Sequence, residues 1–277
     1  MTERPGGDTG PFSLPGARYG PPDGGRMDYL GLSFEQLDEE AVTALLRGRR
    51  ADMEFAYLVT PNVDHVVRLS KLRHDSEERT AYRHAAWRLC DSRILALLAS
   101  LQGIRLSVVP GSDLTARLLR DVMQAGDEVA LIGGQEGDAA ILATLRPDVR
   151  FVQHIPPMGL RDDRGARTAA ARFAVDSGAR FMLIAVGSPQ QELIAAEIRD
   201  MPDARGTALC IGASIDFIIG RENRAPRWMQ RLALEWLYRL LSNPRRLWRR
   251  YLVEGPRIVL LAWRFRRQRS SGTPDAP

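Results

Sequence analysis

The sequence predicts an α/β protein: a mainly parallel sheet flanked by helices, followed by a helical C-terminal appendage. Three observations carry this. Strand-length apolar runs alternate with helical patterns from about Phe55 to Ile211, the signature of a parallel sheet covered on both faces. After about Gly220 the strand patterns stop and only helical ones remain. The 277 residues, 44% of them hydrophobic, suffice for one large domain or one domain with an appendage.

The elements are read in chain order. FAYLVT (55–60) reads as a strand and PNVDHVVRLSK after it has helical spacing. RLSVVP (105–110) is a second strand candidate, followed by DLTARLLRDVMQAG. EVALIGG (128–134) precedes EGDAAILATLRP, and VRFVQHI (149–155) precedes a helix near 164–176. RFMLIAVG (180–187) precedes QQELIAAEIRD, and TALCIGA (207–213) closes the series. There is no internal repeat. Residues 1–27 are rich in Gly and Pro, lack the apolar stretch of a secretory signal, and are expected to be a disordered tail. The expected division is a core over 28–220, an appendage over 221–269 and a short disordered tail over 270–277. No run of about 18 apolar residues exists, so no spanning helix is expected.

Charge is spread unevenly. Between Arg221 and Arg269 there are 14 Arg against 3 Glu, a net of +11 in a chain of net +5, so the rest carries −6. The basic partner surface is therefore expected in the C-terminal fifth. Lys71 is the only lysine; an arginine fork suits phosphate and carboxylate recognition, and a genomic composition bias explains the same excess. Cys90 and Cys210 have no metal or disulfide spacing and read as core thiols of a reducing cytoplasm.

In a parallel α/β sheet, ligands bind beyond the carboxyl ends of the strands. The strand ends here carry Thr60-Pro61-Asn62, Gly111-Ser112-Asp113, Gly133-Gly134, Gly187-Ser188-Pro189-Gln190-Gln191-Glu192 and Gly212-Ala213-Ser214-Ile215-Asp216. Small residues let a phosphate or sugar approach the backbone, and helix N-termini beyond them attract anions. The pattern suits a nucleotide or sugar-phosphate. Neither GxGxxG nor a Walker lysine motif is present, which disfavours ordinary dinucleotide and ATP-hydrolysis readings.

The blocks TPNVDH, CDS, PGSDL, IGG, GSPQQE, IGASIDFIIG and RAPRWMQRLALEWLYRLLSNPRRLWRRYL, in that order, resemble the WecG/TagA/CpsF family of bacterial glycosyltransferases from about Leu30 to Val253. The resemblance implies a Rossmann-like core and an inverting transfer from a UDP-sugar to a hydroxyl of a polyprenyl-diphosphate-linked saccharide. It implies no cofactor and no metal, in line with the lack of a DxD motif or clustered His and carboxylate ligands. It places the enzyme in exopolysaccharide or teichoic-acid-like synthesis, cytoplasmic and peripheral on the inner face of the membrane. Such an enzyme needs a base, stabilisation of the departing diphosphate and a hold on the sugar. The family's Asp-Gly block falls on Asp91-Ser92, which makes Asp91 the candidate base; a cap for the ILALLASL helix is the other reading. Thr60 and Asn62 match the family's Thr-x-Asn and are expected to hold the sugar or orient the acceptor, or to be turn residues. Gln191 is the main donor-site candidate. Gly111 belongs to the same expected site. Gly133 and Gly134 would let the nucleotide near the backbone, Asp216 would touch uridine or ribose, and Asp113 would bind the nucleotide or cap its helix. His65 lines the site or is a surface or capping residue. Two departures stand out: Ser92 replaces the family's Gly, and Val108 and Val109 stand where an Arg is expected.

The Arg/Trp-rich appendage has three readings: a nucleic-acid arm, a solvated arginine face, and a membrane-docking amphipathic segment. No nucleic-acid-binding motif accompanies it. The resemblance favours an anionic membrane surface as partner, with Arg224, Arg239, Arg246 or Arg250 contacting a diphosphate. Removing the chain after about Leu252 is expected to leave the core folded. Self-association is compatible with the sequence. A rival reading is a non-catalytic nucleotide-sugar-binding scaffold of a polysaccharide assembly complex.

Overall fold

The computed structural model describes residues 25–271, apart from 227, 230 and 231 and the side chains of 246, 250, 270 and 271. A hairpin opens the described chain: β1 (Arg26–Tyr29) pairs antiparallel with β2 (Leu32–Glu35). It begins inside the stretch expected to be disordered. Both turn residues have positive φ, 52° at Leu30 and 78° at Gly31. Such turns normally carry Asn-Gly or Asp-Gly, so Leu-Gly gives no hairpin signal to a sequence reading.

The body is a six-stranded, wholly parallel sheet in the order β4-β3-β8-β7-β5-β6. Its strands are β3 (Ala56–Val59), β4 (Trp87–Arg88), β5 (Glu128–Gly133), β6 (Arg150–His154), β7 (Phe181–Ala185) and β8 (Thr207–Cys210). The expected strand at 105–110 does not form. That run makes only an isolated parallel bridge, Val108 to Cys90, and Val109 donates its N–H to the Cys90 carbonyl at 2.9 Å. It runs beside the extension of β4, too briefly to make a ladder.

Strand side chains alternate between the faces, as a pleat requires. Leu58, Leu131, Leu183 and Leu209 pack with α1 (Glu39–Gly48), α5 (Gly111–Arg117), α6 (Asp138–Leu145) and α9 (Ser214–Ile218). Tyr57, Ala130, Met182 and Ala208 pack on the other face with α3 (Glu77–His84), α7 (Arg164–Asp176) and α8 (Gln190–Arg199). The small residues Ala170, Ala171 and Ala174 of α7 let that helix lie close to the sheet.

A third cluster joins the hairpin, α2 (Val63–Leu69), α4 (Arg93–Ser100) and the last helix. Among the described residues after Gly220 the structure is helical: α10 (Glu235–Ser242), α11 (Pro244–Trp248), a π-helical turn (Arg249–Glu254) and α12 (Arg257–Ser271). Ile258 of α12 is buried with Tyr29, Val66 and Leu95, Ala262 is buried too, and Phe265 meets the Tyr29 ring edge-on at 5.3 Å. Gln102 Nε2 donates to the Ala262 carbonyl at 3.2 Å, and Lys71 pairs with Glu254 at 2.5 Å. The chain after Leu252 therefore contributes to the third cluster, so its removal is expected to cost stability there. Ile258→Ala is expected to cost about 2–5 kcal/mol, the usual range for emptying a buried Ile site; urea unfolding measures it. A loss under about 0.5 kcal/mol would mean that α12 is only loosely docked.

Candidate active site

A cleft of about 420 Å³ opens above the carboxyl ends of β3, β4, β7 and β8. Its floor comes from the strand-end loops and its far wall from the appendage. Thr60, Asn62, Asp91, Gly111 and Gln191 all line it, as expected, and Arg239 joins them from α10. His65, Ser188, Arg221, Tyr238, Asn243 and Tyr251 line it too.

Asp91 lies just past β4, where its N–H donates to the Pro61 carbonyl at 3.1 Å beside the end of β3. It is not the cap of α4. That role falls to Ser92, whose Oγ accepts the Leu95 N–H at 3.3 Å. Ser92 has φ −118°, an extended backbone that any residue adopts, so the departure from the family's Gly costs nothing here. With α4 capped by its neighbour, the Asp91 carboxylate turns to the cleft. Oδ1 accepts the Gly111 N–H at 2.8 Å, and Oδ2 faces Asn62 Nδ2 at 3.4 Å. Pro110 supplies no side-chain cap to α5, so Asp91 satisfies one of that helix's open N–H groups from across the cleft. Burial pushes Asp91 up to about 6, against the opposing pull of the Gly111 N–H, the Arg239 guanidinium and the Asn62 amide. A carboxylate so placed can take a proton near neutral pH.

Its neighbours are held in turn. Asn62 caps α2 through its side-chain oxygen, which accepts from Asp64 N at 3.1 Å and His65 N at 3.5 Å. That fixes Oδ1 toward the helix and leaves the amide nitrogen for Asp91. His65 Nδ1 accepts the Asn62 N–H at 3.4 Å, so a neutral ring carries its proton on Nε2. A Cβ on Gly111 would stand 3.0 Å from Thr60 Oγ1, which is why a small residue sits there.

Several expected site residues do not reach the cleft wall. Gly133 and Gly134 are turn residues with φ of 93° and 74°. A Cβ on Gly133 would meet Val186 Cγ1 at 2.6 Å, and one on Gly134 would meet Asp138 Oδ2 at 2.6 Å. Their need for glycine is thus met inside the protein. Asp216 is held by Arg221 at 2.8 Å, and Arg221 also pairs with the fully buried Asp138. Asp113 neither caps α5 nor lines the cleft but pairs with Arg224, which also donates to Ser112 Oγ. Arg224 is therefore committed to the rim. The side chains of Arg246 and Arg250 lie outside the described residues. Val109 is fully buried and Val108 half-buried, so apolar side chains occupy the positions where an arginine was expected. Among the described residues, the arginines lining the cleft are Arg221 and Arg239, both from the segment after Gly220. Arg239 is exposed and stacks over the Phe217 ring at 5.1 Å.

Sequence reasoning missed Arg221, Tyr82, Glu192 and the aromatic wall of Tyr238 and Tyr251. Glu192 lay in the GSPQQE block already singled out, but its partner Tyr82 comes from α3, more than a hundred residues earlier in the chain.

A parallel α/β sheet with a polar cleft at its carboxyl edge, two arginines in its lining and a carboxylate that burial raises is an arrangement that suits a group transferase. The Glycosyl transferase WecG/TagA/CpsF family matches residues 27–272 of the 277, and the chain belongs to it. It is a glycosyltransferase of cell-surface polysaccharide synthesis, a role that brings a nucleotide-sugar donor and a lipid-linked acceptor.

Proposed function

We propose that the chain transfers a sugar from a UDP-sugar, with inversion, to a hydroxyl of a polyprenyl-diphosphate-linked saccharide, with Asp91 as general base. The observation that carries this reading is Asp91 itself: burial brings it up to about 6 at the floor of the cleft, with a guanidinium from the appendage near enough to act on its charge. In the proposed step Asp91 takes the acceptor hydroxyl proton as that oxygen forms a bond to the anomeric carbon. The bond from that carbon to UDP breaks with the electron pair going to the diphosphate. Arg239 offsets the charge that develops there, while Arg221, paired with Asp138 and Asp216, shapes the cleft wall. The test is UDP release from candidate UDP-sugars with a lipid-linked acceptor, by wild type and by Asp91→Asn.

The proposed working place is an anionic membrane surface on the cytoplasmic side. No helix among the described residues is long and apolar enough to cross a membrane. The appendage nevertheless exposes Leu241, Trp248, Leu252, Val259, Leu260 and Trp263. On α12, Leu260 and Trp263 lie away from the buried Ile258 and Ala262, with the exposed Val259 on the flank, and Arg267 stacks over Trp263 at 3.7 Å. An apolar stripe edged by arginine suits a headgroup layer. Leu260→Glu combined with Trp263→Glu leaves the buried face intact. It is expected to weaken binding to phosphatidylglycerol vesicles by at least about tenfold, because apolar burial is lost and two negative charges are added. Co-sedimentation equal to wild type would assign these residues to another contact.

A further inference from the structure

We infer that Glu192 is a positioning residue: it fixes which hydrogen-bonding groups the cleft floor offers to the donor, by orienting Gln191 and Ser188 without lining the cleft itself. The inference rests on the reading that this cleft binds a nucleotide-sugar.

Glu192 is 1% exposed in the first turn of α8. Its carboxylate receives three hydrogen bonds: Ser188 Oγ donates to Oε2 at 2.6 Å, Gln191 Nε2 to Oε1 at 2.8 Å and Tyr82 Oη to Oε1 at 3.0 Å. Arg68, from α2, donates to Ser188 Oγ at 2.7 Å and to Glu78 at 3.1 Å. Every partner of the carboxylate is thus a donor, and an ionised carboxylate is an acceptor only.

The consequence falls on the two neighbours that do line the cleft. A serine hydroxyl has one proton. Ser188 gives it to Glu192 and receives one from Arg68, so toward a ligand Ser188 can only accept. A glutamine amide can flip, exchanging its oxygen and nitrogen. Here Gln191 Oε1 accepts the Gly212 N–H at 2.8 Å while Nε2 gives one proton to Glu192. Both partners demand the same orientation. What remains on Gln191 is one N–H and one oxygen lone pair, in a fixed sense. Such an N–H suits the acceptor-only oxygens of a diphosphate. Without the carboxylate nothing but Gly212 holds that sense, and Ser188 is free to turn its proton into the cleft.

The test uses the full chain. Glu192→Gln keeps the shape of the side chain but brings an NH₂ against partners that are all donors. The expected result is about a tenfold rise in the KM for the donor and in the Kd for UDP by calorimetry, the scale of one misdirected buried hydrogen bond. The KM for the lipid-linked acceptor stays unchanged. The effect is less than additive with Gln191→Ala: the double variant loses less UDP affinity than the two single losses multiplied together. A purely structural role predicts something else, a fall in kcat with both KM values intact because fewer molecules are folded. That pattern, an unchanged Kd for UDP, or additive losses in the double variant would each overturn the inference. If Glu192→Gln yields no folded protein, Tyr82→Phe reads the network from α3. It removes the hydroxyl that shares Oε1 with Gln191, and a donor KM raised about two- to fivefold is expected; an unchanged donor KM overturns the inference. Wild-type protein that binds no UDP overturns the donor reading beneath it, a separate and distinguishable result.

Discussion

Asp91→Asn protein is expected to turn over about 10²–10⁴-fold more slowly than wild type, the usual worth of a positioned base, yet to melt no lower at pH 8. The unchanged melting is a matter of linkage. Burial holds Asp91 at about 6 in the folded chain, above the roughly 3.9 of an exposed Asp. Between those values the folded chain keeps a proton that the unfolded chain releases. The group's favourable contribution is therefore complete below the unfolded pKa and lost as pH rises through about 6. Above that, an ionised carboxylate sits where it is poorly solvated, at a cost of up to about 3 kcal/mol at roughly 1.36 kcal/mol per unit. Asparagine removes that cost. It keeps one oxygen for the Gly111 N–H and loses the acceptor facing Asn62 Nδ2, which returns about 1 kcal/mol or more. Thermal melts at pH 8 and pH 4.5 check this: the variant should equal or exceed wild type at the first and lose that advantage at the second. Retained turnover in a folded variant would remove Asp91 from the base role. A variant several degrees less stable at pH 8 would show that the carboxylate serves the α5 N-terminus more than the chemistry.

Arg239→Ala is expected to lower kcat/KM about 10²-fold, the scale of losing one preorganised charge partner of a leaving group. Arg239 is exposed, and its stack on Phe217 is the structural contact it gives up; stability should change little. The pH profile gives an independent reading. The Arg239 guanidinium holds the Asp91 pKa down, so its removal lets that pKa rise. The acid limb of kcat/KM, which reports the free enzyme's base, should move to higher pH. A lower rate with an unmoved limb would place Arg239 on the substrate but away from Asp91. An unmoved rate would remove it from the site. The position matters because Val108 and Val109 stand where an arginine was expected, and Arg239 reaches the cleft from the appendage.

Most of the alternation of strands and helices, and the edge of the sheet where the cleft opens, were legible in the sequence for a local reason. A parallel strand buried on both faces must be apolar along its length, and its loop must then turn sharply toward a helix. EVALIGG and RFMLIAVG carry both signals within a few residues, and each forms its strand, β5 and β7. Asp91 was picked out by the CDS block that carries the resemblance, and it lines the cleft. RLSVVP misled for that same local reason, since β-rich composition without a partner of matching length gives one bridge and no ladder.

The tertiary structure decided what depends on residues far apart in the chain. Which of Asp91 and Ser92 caps α4 is settled by the Gly111 N–H, 20 residues on, which draws the carboxylate away. Asp113 and Asp216, both plausible ligand contacts from their loops, are taken by Arg224 and Arg221 of the appendage. The same fold buries Glu192 among Tyr82, Ser188 and Gln191, and seats one face of α12 in the core while leaving Trp263 outside. A charge's role is set by its partners and its solvation. Spacing along the chain fixes the element that carries a side chain, whereas its partner and its water are fixed only when the elements pack.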